Sequence, residues 1–187
     1  YQAHAAAAEH WAGTTPIRHA AKQEYQDWGR HLADESIQVP LLAAIGTMDE
    51  QFQMSNPVRV PTSGVERLAN EPFFASGKWR MVDRVPWWHD YADDVPVLFG
   101  HYWRWSRPDG AARFSRGERD LFAGVAGNQW LGPRRNAFCI DFSVGVRYRE
   151  RVLAPGKPFI GRLGAVRWPE RELVYDDGER LPLVASG

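Results

Sequence analysis

Apolar residues Ile17, Ala21, Tyr25, Trp28 and Leu32 recur at intervals of three or four, which is the spacing of one helical face. Thr15 followed by Pro16 supplies a capping hydroxyl and then a proline at the first helical position, so the pattern predicts a helix opening there. Pro40 opens a second expected helix with Leu41, Leu42, Ile45 and Met48 on its apolar side, and Gly46 is the weak point in its continuity. Residues 1–55 therefore read as a helical segment, a hairpin of two helices. From Asn56 to Trp88 the periodicity dissolves into prolines, glycines and aromatics. An ordered loop insert without long regular elements is expected over residues 56–94. Phe73, Phe74, Trp79, Trp87 and Trp88 give it enough apolar surface to exclude disorder.

Further on, the period becomes two. Val95 to Phe99 is a short apolar run of the kind covered on both faces of a sheet. Phe138, Ile140, Phe142, Val144 and Val146 alternate with Cys139, Asp141, Ser143 and Gly145, and continuing that strand to Leu153 places Arg147, Arg149 and Arg151 on its opposite, exposed face. FIGRLGAVRW and RELVYDDGERLPLV supply two more strands, with Asp177-Gly178 as a turn signal. The Gly- and Arg-rich stretch between Arg107 and Arg135 reads as a surface excursion. Residues 95–187 are thus the sheet-forming part. The whole chain reads as a single domain fragment of the α/β (α+β) class.

Composition narrows the function classes. Lys plus Arg and Asp plus Glu balance at 23 each, so no overall field draws in nucleic acid or an anionic membrane surface. Cys139 is the single cysteine, which excludes an internal disulfide and a cysteine-based zinc site; a reducing, cytoplasmic setting is the expectation. No apolar run reaches membrane-spanning length, and the start YQAHAAAAEHW lacks both a signal-peptide pattern and an initiator methionine, so the chain is expected to be cut from something longer or to be a processed chain.

The candidate chemistry lies at the end of the Val95–Phe99 run. Ligand sites gather beyond the carboxyl ends of such strands; Gly100 permits close backbone approach there, and the His101 imidazole can bind a divalent metal. A hydrogen-bonded structural histidine is the alternative. GHYW resembles the last metal-binding block of the calcineurin-like metallophosphoesterases, in which a strand-Gly-His segment contributes a histidine to a two-metal centre. NPVRVPTSGVE, PFFASGKWRMVDRVPWW, PVLFGHYWR and NAFCIDFSVGV are similar, in this order, to blocks of a bacterial branch of these phosphatases, over residues 56 to 146. The resemblance implies the C-terminal half of a metallophosphoesterase-like β-sandwich with flanking helices and an aromatic-rich insert. It further implies hydrolysis of phosphate mono- or diesters, with two divalent ions (Mn, Fe, Zn or similar) clamping the phosphoryl group and activating water. The family's upstream Asp-x-His, Gly-Asp-x-x-Asp and Gly-Asn-His blocks are not in this sequence, and Trp103 stands where a second histidine is common. One metal ligand, His101, is therefore expected from this chain, the others coming from a missing N-terminal half without which it is inactive.

Arg80 and Arg84 are candidate contacts to the substrate phosphate, since a guanidinium fork suits that group; the alternative is that they are loop cations paired with Asp83, Glu66 or Asp90. Asp141 is a candidate to orient His101 through its other ring nitrogen. His89, Asp90, Asp93 and Asp94 read as a solvated turn. Trp79, Trp87, Trp88, Tyr102, Trp103 and Trp105 either pack an irregular loop or form a stacking wall. The wall leads to a second function class, a non-catalytic module binding sugar or nucleotide rings. An isolated half-sandwich would also expose surface meant for missing strands, which predicts self-association.

Overall fold

A computed structural model describes residues 15–106 and 119–185, and the chain divides between Val85 and Pro86 into two compact units. Both mix helices with small sheets, so the class is α+β. The signals placed on residues 1–14 and on residues 107–118 of the Arg107–Arg135 excursion lie outside the described residues.

The first unit opens on helix α1 (Thr15–Trp28), extended by a short 3-10 turn over Gly29–His31. Its inward face carries Ala21, Trp28 and Leu32 as expected, whereas Tyr25 is 63% exposed. Helix α2 runs over Ala43–Met54, three residues later than Pro40 suggested. Its start is fixed by a distant residue: the Glu24 carboxylate of α1 accepts the backbone N–H groups of Ala44 (3.0 Å) and Ile45 (2.8 Å). A carboxylate at a helix N-terminus satisfies orphan donors and complements the macrodipole. A short helix α3 (Arg59–Ser63) follows.

The loop expected over residues 56–94 is instead largely a hairpin, β1 (Glu66–Ala75) paired antiparallel with β2 (Lys78–Arg84). Proline had argued against long elements here, but Pro72 is accommodated in a bulge. The register jumps from Leu68 opposite Val82 to Phe73 opposite Arg80, so the stretch holding Pro72 needs no ladder donor at that position. The Leu68 N–H beside the bulge is taken by the Glu50 carboxylate at 2.7 Å. Helix α2 packs on this hairpin at Gly46, where a Cβ would meet Leu68 Cδ1 at 2.3 Å and the Met81 carbonyl oxygen at 3.0 Å. Gly46 is therefore the contact point of the two elements. Gly46→Val is expected to destabilise the unit by about 1–3 kcal/mol through overpacking, read as a fall of its thermal midpoint.

The second unit is built on aromatic rings. Trp88 is buried and stacked between Phe122 (centroids 5.0 Å apart, 10° between planes) and Phe99 (5.1 Å, 22°), with Tyr102 edge-on at 5.2 Å. A second cluster comprises Trp130, Phe138, Phe142, Leu173 and Tyr175. Strand β3 (Val97–Phe99) pairs in parallel with β4 (Ala137–Cys139). This pair is not covered on both faces as the apolar run implied: Leu98 is 46% exposed, because two strands leave one side open.

The long strand expected from Phe138 to Leu153 is also corrected. It stops at Cys139; Ser143 is left-handed at φ 59°, and helix α4 occupies Arg147–Leu153. The Asp141 carboxylate accepts the Ser143 N–H at 3.0 Å, an Asx turn that competes with the strand ladder. Arg147, Arg149 and Arg151 accordingly lie on a helix rather than a strand face, and Arg147 is tied to Asp176 through both guanidinium nitrogens (2.5 and 2.9 Å). Glu150, buried, accepts the N–H groups of Ile160 and Gly161. Outward, α4 leaves Tyr148, Val152 and Leu153 exposed. Of the two C-terminal strands expected, the first is found and the second divides into a hairpin: β5 (Gly164–Arg167), β6 (Glu172–Tyr175) and β7 (Arg180–Pro182) form an antiparallel sheet in that order. Asp177-Gly178 lies in the β6–β7 turn, and Arg162, 3.5 Å over the Tyr175 ring, bonds Asp177 and Glu179.

Candidate functional site

The carboxyl ends of β3 and β4 lie side by side because the strands are parallel, which brings Gly100-His101 next to Asp141. Hydrogen bonds from Val97 N to Asn136 O, Ile140 N to Phe99 O and Arg104 N to Asp141 O, each 2.8 Å, carry the pairing past the strand ends. His101 itself has left the strand. Its φ is 68° and that of Trp103 is 51°, so two bulky residues occupy the left-handed region within one turn. Such conformations cost about 1–3 kcal/mol each and persist only where neighbours enforce them.

The enforcing group is Asp141. Its Oδ2 accepts the His101 backbone N–H at 3.0 Å while Oδ1 accepts the Ser143 N–H at 3.0 Å. Where the sequence pattern predicts Asp141 orienting His101 through its other ring nitrogen, the bond found is instead to the His101 backbone N–H, which fixes the direction in which Cβ leaves the chain. The His101 side chain stands exposed at the rim, its ring 6.3 Å from that of Trp103. Beneath it, Arg104 is wholly buried and donates to the carbonyls of Cys139 (3.5 Å), Gln129 (3.3 Å) and Ala126. Burial lowers the Arg104 pKa to about 10 and pushes the Cys139 thiol up to about 12. Arg104 remains a cation at neutral pH, and Cys139 a neutral thiol.

As for metal binding, an exposed imidazole at a strand end suits one ligand position. Among the described residues no group of three or more His, Cys, Asp or Glu side chains is gathered that could hold a metal ion. Asp94 pairs with Arg134 at 3.3 Å and the Asp93 carbonyl accepts from Asn136 at 2.6 Å.

Arg80 and Arg84 share a face of β2, in the first unit, while His101 belongs to the second. Arg80 Nε donates to the Ala75 carbonyl at 3.3 Å, and its side chain borders a cavity. Arg84 stands opposite Glu66 in the hairpin register; burial raises the Glu66 pKa, and Arg84 and Arg80 oppose the rise. Of the candidate stacking residues, Trp79, Trp88 and Tyr102 are buried in cores, Trp87 and Trp105 are half-buried, and Trp103 is exposed. Packing is therefore the main use of these rings.

Sequence reasoning missed the left-handed geometry of His101, Trp103 and Ser143, since non-glycine residues give no sign of positive φ. Asp141-x-Ser143 was the available signal for it. No helix among the described residues is long and apolar enough to cross a membrane. No protein-family model, curated protein or solved structure matches the chain.

Proposed function

We propose that this chain contributes His101 as one ligand of a two-metal phosphoesterase centre, its other ligands supplied by polypeptide beyond the described residues. One observation carries the reading: His101 is held in a costly left-handed conformation at the carboxyl end of a parallel strand pair, with Asp141 bonded to its backbone N–H. Strain that neighbours maintain at a strand end is characteristic of functional sites. In such a centre the ions would polarise the phosphoryl oxygens and supply a nucleophilic hydroxide at neutral pH.

The chain's own residues do the positioning. Asp141 fixes the His101 backbone, Gly100 leaves room beside it, and the buried Arg104 anchors the turn that follows. The finer fold, half of a metallophosphoesterase-like sandwich, belongs to the same proposal, as does a cytoplasmic location. Its support is the strand-Gly-His block beside the Cys-x-Asp block, which the β3–β4 pairing sets next to each other.

The test is hydrolysis of 4-nitrophenyl phosphate by the gene product that contains this chain, before and after chelation and with Mn²⁺ restored. Turnover that disappears and returns with the metal is expected; turnover indifferent to chelation would overturn the assignment. Asp141→Asn is expected to lower metal-dependent turnover by about 10- to 100-fold, the range for groups that orient a ligand. An unchanged rate would remove Asp141 from this role.

A further inference from the structure

Helices α1 and α2 and strand β2 border a half-open cavity of about 460 Å³ within the first unit, inside the size range of small-molecule sites. Its walls divide by chemistry. Leu32, Ile45, Met48 and Trp79 give it an apolar floor, and the Trp79 ring is fixed there by its indole N–H, which donates to the Asp34 carbonyl at 2.9 Å. Around that floor stand four cations, Arg18, Lys22, Lys78 and Arg80, against one carboxylate, Asp49. The unit's other nearby acids are engaged elsewhere: Glu24 caps α2 and Glu50 serves the bulge of β1. Among the described residues no carboxylate lies within ion-pair distance of Lys22, Lys78 or Arg80.

Burial raises the Asp49 pKa, while Lys78 and Arg80 oppose the rise. One carboxylate thus faces Lys22, Lys78 and Arg80, an excess of positive charge beside low-dielectric walls, which concentrates positive potential in the cleft. Flat apolar walls beside these cations match a ligand with the complementary halves.

We infer that this cavity binds a small organic anion, a phosphate or carboxylate group carried on an aromatic or branched aliphatic body. The cations receive the oxyanion at the rim, Arg80 with a fork and the lysines as point charges. The apolar body lies over Trp79 and Met48. This site lies within the first unit and requires neither a metal ion nor turnover, so it and the phosphoesterase reading of His101 fail separately.

The experiment is calorimetric titration of the chain, in EDTA, with 1-naphthyl phosphate, 1-naphthoate and the neutral 1-naphthol. Both anions are expected to bind at least about tenfold more tightly than 1-naphthol, reflecting charge-assisted hydrogen bonds. Lys22→Gln, on an exposed helix surface where folding is not at risk, should weaken both anions about threefold, and Lys78→Gln similarly. Asp49→Asn should strengthen them by a similar factor, a gain that damage to the fold would not produce. Equal affinity for 1-naphthol and the anions, no detectable binding of either anion, or anion binding left unchanged or weakened by Asp49→Asn would overturn the inference.

Discussion

Replacing Arg104 with methionine is expected to destabilise the second unit by about 3–5 kcal/mol, a large share of a small domain's total stability. The side chain is wholly buried, and its hydrogen bonds go to main-chain carbonyls of Cys139, Gln129 and Ala126. Its guanidinium carbon lies 5.3 Å from the Phe122 centroid, 5.2 Å from Phe138 and 5.8 Å from Phe142, so it belongs to both aromatic clusters at once. Methionine fills similar space and avoids desolvating a charge, a gain of a few kcal/mol at most. Against that, the buried Cys139 carbonyl loses a charged donor at about 1–3 kcal/mol, the part-buried carbonyls of Gln129 and Ala126 lose theirs at a smaller cost, and both clusters lose their shared cation–π partner. The loss is the larger effect. Arg104→Lys should recover only part of it, because one ammonium cannot reach acceptors arranged for a fork.

Cys139 supplies the readout. Fully buried and with its thiol pushed up to about 12 by that burial, it should resist alkylation in the native protein. In Arg104→Met it should react as an exposed thiol does, and the urea midpoint should fall in parallel. A variant that unfolds within about 0.5 kcal/mol of the parent and keeps Cys139 protected would show that the guanidinium bonds are not what holds the clusters together.

The second large effect concerns function. His101→Ala should lower metal-dependent phosphoester hydrolysis by more than the 10- to 100-fold typical of outer-shell partners, because it removes a proposed ligand outright. His101→Gly separates chemistry from folding. Glycine adopts φ 68° without steric cost, so this variant should be as stable as the parent or up to about 1 kcal/mol more stable, while losing activity equally. Gain of stability with loss of turnover would identify the strain at His101 as serving the site. Full activity in either variant would end its assignment as a ligand.

How far the sequence went can be judged element by element. Helix α1 and the β6–β7 hairpin were legible because each is a local matter, a 3.6-residue period in one and Asp177-Gly178 between apolar strands in the other. The β1–β2 hairpin was not, since Pro72 breaks the local pattern and only Glu50, from a different helix, satisfies the donor beside the bulge. The stretch from Phe138 to Leu153 misled for a similar reason. Alternation of apolar and polar residues fits a strand, but the Asp141 carboxylate bonds Ser143 and His101 and ends it after Cys139.

The candidate site divides in the same way. Gly100-His101 after an apolar run could be picked out as a candidate at a strand end, and Arg80 as a candidate anion contact. That Asp141 would grip the His101 backbone, and that Arg80 would border an apolar cavity with Arg18, Lys22 and Lys78, could not be seen.

By itself the amino-acid order settled the general class of the fold, its charge balance and the reliance on aromatic rings for a core. Those follow from composition and short-range period, which need no partner in space. Tertiary structure alone decided where helix α2 begins, how a proline sits within a strand, why residue 46 has no side chain, and which conformation His101 takes. Each of these is fixed by a donor, an acceptor or a steric limit from a segment distant in sequence, and a free energy shared between distant residues leaves no mark on either one read alone.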